Sequence, residues 1–154
     1  MQFANYFFAS IISFLGLLVG FTLVKIAPEE QKSLMKYFNF GKKFFLLLVF
    51  IFLIFRYSYS SLYILGLIAC CMLLFYLDKT IKDISKKSMI TYSILAFSFF
   101  LSSKDTSLFV FVSSLIMIYG IFVSSMLEMK AKAYEKFLKS NAVFVIIANI
   151  LLFL

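Results

Sequence analysis

The feature that most constrains this chain is the spacing of its basic residues, which falls into a rhythm of five, one, four, one and four between successive apolar stretches. Lys25, Lys32, Lys36, Lys42 and Lys43 come first and Arg56 stands alone; Lys79, Lys82, Lys86 and Lys87 follow, then Lys104 alone, then Lys130, Lys132, Lys136 and Lys139. Short loops rich in Lys and Arg stay on the cytoplasmic side during insertion. The alternation therefore predicts an all-α fold, a polytopic bundle of six transmembrane helices in the cell membrane. Both termini lie outside in this scheme, and the basic loops, with short interfacial helices, lie in the cytoplasm.

Composition agrees. Hydrophobic residues make up 64% and charged residues 14%, against about 25% charged in soluble domains. Mean hydropathy is +1.04. Residues 1–154 are expected to form a single integral membrane domain with spans near 3–24, 43–57, 61–77, 88–103, 107–127 and 141–154. The net charge of +8 does not point to nucleic acid, because the lysines flank apolar spans and anionic headgroups are the nearer counter-charge. Lys32, Lys36, Lys42, Lys43, Lys82, Lys86, Lys87, Lys132, Lys136 and Lys139 are the expected contacts to anionic lipid.

The first span has no basic residue before it and Lys25 just after it, the reverse of a cleaved signal, so an uncleaved anchor is expected. Gly16 and Gly20 form one small-xxx-small pair and Gly120 and Ser124 another, which allow close helix approach. Packing within the chain and a dimer seam are the two uses open to them. After the first span, Pro28 suits the first position of a helix, and Glu29 and Glu30 suit its first turn, where carboxylates meet the positive end of the dipole. A short interfacial helix ending at Gly41 is predicted there. A metal or catalytic role for the two glutamates has no His or third acid nearby to support it.

Only twelve residues separate Lys43 from Arg56, roughly 18 Å of helix. Snorkelling lysines can extend such a span, with Tyr57, Tyr59 and Tyr63 in an outer aromatic belt; a re-entrant segment is the alternative. In the third span Cys70 and Cys71 are expected to pack as small apolar groups, since the chain has no His and two thiols do not complete a metal set. Asp78 with Lys82, Asp83 with Lys87, Glu128 with Lys132 and Glu135 with Lys139 are spaced four apart in the stabilising order. Salt-bridged helix ends are therefore favoured over a metal or phosphotransfer pair at Asp78 and Asp83. The third basic segment segregates Leu127, Ala131, Tyr134, Phe137 and Leu138 from its charges, Lys130 alone being out of place, and it is expected to continue the fifth span as an interfacial helix. Ser93, Ser98, Ser113, Ser114 and Ser125 suit helix packing, with a polar path as the alternative.

The segment Ile26-Ala27-Pro28-Glu29-Glu30 after the first span, with Lys42-Lys43 before the next, resembles a group of small archaeal multi-pass membrane proteins to which no activity is assigned. The resemblance covers the first third of the chain. It implies an archaeal origin and no site.

No potassium filter, nucleophile elbow or phosphate loop is present in the sequence, and no ionisable residue falls mid-span. No catalytic residue, metal ligand or cofactor is expected. The function expected is that of a non-catalytic subunit, scaffold or assembly factor of a membrane complex, with other membrane proteins or further copies of itself as partners. A small oligomeric channel or transporter, and a lipid-modifying enzyme, are the alternatives.

Overall fold

The computed structural model describes residues 3–57, 61–81, 83–127 and 131–153. They form α1 (Phe3–Ile26), α2 (Pro28–Arg56), α3 (Ser61–Thr80), α4 (Ile84–Ser102), α5 (Thr106–Ser124), α6 (Ala131–Asn141) and α7 (Val143–Phe153). Local chemistry sets several starts. Pro28 opens α2 with Glu29 and Glu30 in its first turn. Asp83 caps α4 by accepting the Ser85 amide at 2.9 Å, and Asp105 caps α5 by accepting Ser107 and Leu108 at 3.0 and 3.2 Å. Each aspartate satisfies amides that have no partner inside the helix.

Contacts between helix ends establish their directions. α1 and α5 run parallel, with Ser13 Oγ donating to Ser113 O at 3.1 Å and Ser125 Oγ to Gly20 O at 3.3 Å. α2 runs against α5: Phe45 stacks on Phe122, Phe52 on Phe111, and Arg56 pairs with Asp105 at 2.8 Å. α4 also opposes α5, through Tyr92 on Tyr119 and Phe99 on Phe109. α6 and α7 oppose α1: Tyr134 Oη donates to Leu17 O at 3.0 Å, Tyr6 Oη to Ala148 O at 2.9 Å, and Phe3 meets Phe153. α3 returns the chain from the end of α2 to the start of α4. The beginning of α1, the end of α7 and the Arg56–Asp105 pair thus share one end of the bundle, and the lysine-rich segments share the other.

α5 is the central staff, and the α1–α5 seam is its tightest face. A Cβ added at Gly16 would run into the Met117 carbonyl, and one added at Gly20 into Ser124 Oγ and the Ile121 carbonyl. One at Gly120 would meet Leu17 N at 3.1 Å and Gly16 C at 3.2 Å. The two small-xxx-small pairs therefore lie against each other within one chain. Such proximity matters in lipid, where van der Waals packing, and not exclusion of water, holds helices together. At the lysine-poor end Tyr6, Phe99, Phe109 and Phe144 form an aromatic cluster, edge-to-face at Tyr6–Phe99 and Phe99–Phe144 and stacked at Tyr6–Phe109.

Three expectations are corrected. Gly41 does not end a short interfacial helix; α2 is one helix of 29 residues, about 43 Å long at 1.5 Å per residue. A mid-helix glycine costs only about 1 kcal/mol, and here its bare side accepts the Phe122 ring, whose nearest carbon would sit 2.5 Å from an added Cβ. The short second span at 43–57 is accordingly the latter half of a long one. Second, α5 stops at Ser124 and does not continue to residue 127 and into the third basic segment. Ser125 Oγ bonds back to Ile121 O at 2.7 Å, and the Gln31 amide of α2 donates to the carbonyls of Ser125 and Leu127 at 3.0 and 2.8 Å, capping the helix from outside. Third, α6 belongs with the sixth span and not the fifth. Only Ala142 separates it from α7, and the Ala142 amide still reaches Leu138 O at 2.9 Å. Tyr134 and Phe137 on its apolar face are buried in the bundle.

Candidate functional site

At the lysine-rich end, α2, α3, α4 and α5 part to leave a cleft of about 310 Å³. α2 lines it with Asn39, Lys42, Lys43 and Leu46, and α4 with Ile84, Lys87, Ser88 and Thr91. Both sets have the spacing i, i+3, i+4, i+7, a single helical stripe. Leu74 of α3 and Tyr119, Val123 and Met126 from α5 and the turn after it complete the lining. Lys42, Lys43 and Lys87 are half-buried, whereas the other lysines whose exposure is described, among them Lys25, Lys32, Lys36, Lys86, Lys136 and Lys139, are exposed.

The hydrogen bonds of the lining show what it offers. Ser88 Oγ donates to Asn141 Oδ1 at 2.9 Å and Thr91 Oγ1 donates to Lys87 O at 3.0 Å, so both hydroxyl protons are engaged. The Asn141 amide group is held in turn on Phe137 O at 2.8 Å. Lys42, Lys43, Lys87 and Asn39 add nitrogen donors to the lining. Asp83, one turn before Lys87, directs its carboxylate to the α4 cap. A second hollow of about 320 Å³ between α1, α2 and α5 is mainly apolar, lined by Leu23, Val24, Leu34, Phe38, Ile121 and Phe122 with Gln31 at its side.

Of the lysines expected to meet lipid, the structure brings together Lys42, Lys43 and Lys87. Lys32, Lys36, Lys86, Lys136 and Lys139 are dispersed over the surface; Lys82 and the side chain of Lys132 lie outside the described residues. So do Tyr59, Glu128 and Lys130 and the side chains of Tyr63 and Asp78, and with them the pairs Asp78–Lys82 and Glu128–Lys132. Glu135 and Lys139 are in contact at 2.7 Å. Glu29 and Glu30 are exposed, and the half-buried thiols of Cys70 and Cys71 are both unbridged and pack on the core. Tyr57, expected in an outer belt, is half-buried and donates to Leu101 O at 2.7 Å, tying the end of α2 to the end of α4.

Asn39, Ser88, Thr91 and Tyr119 were not anticipated. The signal was the repeated stripe spacing in α2 and α4, but it does not say that the two stripes face each other. The Arg56–Asp105 bridge had no signal in the sequence beyond the two residues falling in the sparsely charged connections, Asp105 directly beside Lys104. The Leu108 amide above all, with Arg56 and the Ser107 amide adding to it against weaker desolvation, holds the Asp105 carboxyl below its ordinary range.

Among the described residues four helical stretches are long and apolar enough to cross a membrane: α1, α2, α5, and the run from Tyr134 to Phe153 through α6 and α7. α3 holds a shorter apolar stretch, Ile64–Leu74. The class so defined is an all-α membrane-type helical bundle with a basic cleft at one end. Comparison with protein-family models, with curated proteins and with solved structures returns no match.

Proposed function

We propose that this chain is a six-crossing membrane protein, its termini outside and its lysine-rich end cytoplasmic, that serves as a non-catalytic subunit, scaffold or assembly factor of a membrane complex. The observation that carries this is how the middle of the bundle is closed. Ser13, Ser124, Tyr6 and Tyr134 all give their hydroxyl protons to helix carbonyls, and the glycines between them are filled by neighbouring backbone. Polar groups spent in this way favour a packed seam over a conducting path. The reversal of direction at each successive helix supports six crossings, with α3 and α4 completing the set. α3 has the open side on which a partner helix could lie: Leu65, Ile68, Met72 and Leu73 face outward, and a side chain at Gly66 would meet nothing within 4 Å.

Purification in a mild detergent tests the proposal, and a second polypeptide at fixed stoichiometry is the expected result. A homo-oligomer that carries anions across liposomes would replace it with the transporter reading, which the basic cleft supports. Loss of a cellular phenotype on converting Glu29, Glu30, Asp78 and Asp83 together to amides would favour a lipid-modifying enzyme.

A further inference from the structure

The second hollow, between α1, α2 and α5, is apolar except at one side, where Glu30, Gln31 and Ser125 meet. The donors on that side are spent. The Gln31 amide nitrogen donates to the carbonyls of Ser125 and Leu127 at 3.0 and 2.8 Å, and Ser125 Oγ donates to Ile121 O at 2.7 Å. Only acceptors remain: Gln31 Oε1 and the Glu30 carboxylate, neither of which has a hydrogen-bond or ion-pair partner among the described residues. Two acceptors beside an apolar wall select a guest that brings its own donors, and a carboxylate favours a positively charged one. The full charge of Glu30 outweighs the roughly +0.5 that α2 presents at its first turn.

Size narrows the guest to a chain. The hollow measures about 320 Å³, whereas one α-helical turn, about 10 Å across and 5.4 Å high, fills roughly 420 Å³. A partner helix is therefore too large, and a single alkyl chain is not. Leu23 both lines the hollow and is exposed on the outside of the bundle, so such a chain enters from the side. Lipid tails are as apolar as this wall, which leaves selection to the acceptors. We propose that the hollow binds one phospholipid with a primary-amine headgroup, such as phosphatidylethanolamine. Its ammonium sits on the Glu30 carboxylate, with Gln31 Oε1 as the further acceptor, and one of its chains lies along the apolar wall. Lys25 and Lys32, exposed and close in sequence, suit the phosphate of the same headgroup. The proposal rests on the lysine-rich end meeting the headgroup layer and needs no protein partner.

The test uses the full chain in nanodiscs of phosphatidylcholine containing equal small fractions of phosphatidylethanolamine and phosphatidylglycerol, with the retained lipid counted by native mass spectrometry. Wild type is expected to hold one phosphatidylethanolamine per chain in preference to the other two, since the choline head has no N–H donor and the glycerol head no cation. E30Q should bind it about tenfold more weakly, the loss of one charge-assisted contact. E29Q, with the same change in net charge but outside the lining, should bind it as wild type does. L34W, which fills the hollow, should displace it; if that variant does not fold, E30Q, made at an exposed position, carries the test. Retention of phosphatidylcholine or phosphatidylglycerol as readily as phosphatidylethanolamine, equal weakening in E29Q and E30Q, or undiminished binding by folded L34W overturns the proposal. Thiol labelling at Ser33 and Ser103 scores the membrane topology, and copurification of a protein partner scores the subunit proposal, so failure here leaves both standing.

Discussion

Replacing Gly16 by alanine adds one methyl group at the tightest point of the α1–α5 seam. The three atoms it meets all belong to the Met117 backbone, its carbonyl carbon and Cα at 2.8 and 3.0 Å with the oxygen nearer still. Backbone cannot yield as a rotamer does, so the two helices must move apart. A radial gap of about 0.5–1 Å forfeits a quarter to a half of the dispersion attraction of every facing pair, and Leu17 and Ile116, both wholly buried, lie beside this contact. Overpacking of this kind costs about 1–3 kcal/mol. Alanine regains up to about 1 kcal/mol of helix propensity, which leaves a net loss of about 1–2 kcal/mol. Gly66→Ala is the matched control, because an added Cβ there meets nothing within 4 Å; it should be neutral or stabilising by up to about 1 kcal/mol. Denaturant titration in detergent micelles, followed by circular dichroism, measures both. Equal stability of the two variants would refute the close seam.

Tyr6→Phe removes the donor to Ala148 O and should cost about 1 kcal/mol in the same titration, with Tyr134→Phe behaving alike at Leu17 O. Asp105, whose carboxyl is held below its ordinary value, stabilises the α4–α5 hairpin fully above the unfolded carboxyl pKa of about 3.9. That contribution disappears as pH falls through the lower folded value, so Asp105→Asn should remove this acid-side decline in stability, and an unchanged pH profile would count against the bridge. In a background lacking Cys70 and Cys71, cysteines placed at Ser33 and Ser103 should react with an impermeant thiol reagent from opposite sides of the membrane. Labelling from the same side would overturn the reversal of direction at each successive helix.

Much of the fold was legible because it depends on local quantities. The lengths of the apolar runs at 3–24 and 107–127 placed α1 and α5 within a few residues. Pro28 marked the start of α2 through chemistry confined to one turn. The polarity of α6 was visible in Tyr134 and Phe137, which are in fact buried. Gly41 was misread because a glycine that ends a helix and one that admits a neighbouring ring look alike until Phe122 is seen beside it. Gln31 carried no signal at all, since its partners lie more than ninety residues away. Lys42, Lys43 and Lys87 were picked out individually as lipid contacts, and their convergence was not.

The sequence by itself determined an all-helical chain whose apolar runs are separated by alternating basic and nearly bare segments, because run length and charge placement are read one residue at a time. Only the tertiary structure decided which side of each helix faces inward. Helices that are apolar nearly all round, as α1, α3 and α5 are, carry little rotational information in their pattern; close approach at Gly16, Gly20 and Gly120 sets the angle of α1 on α5. The packing of α2 and α4 on α5 places the cap that Gln31 sets on α5 and the cleft in which two separate lysine segments meet.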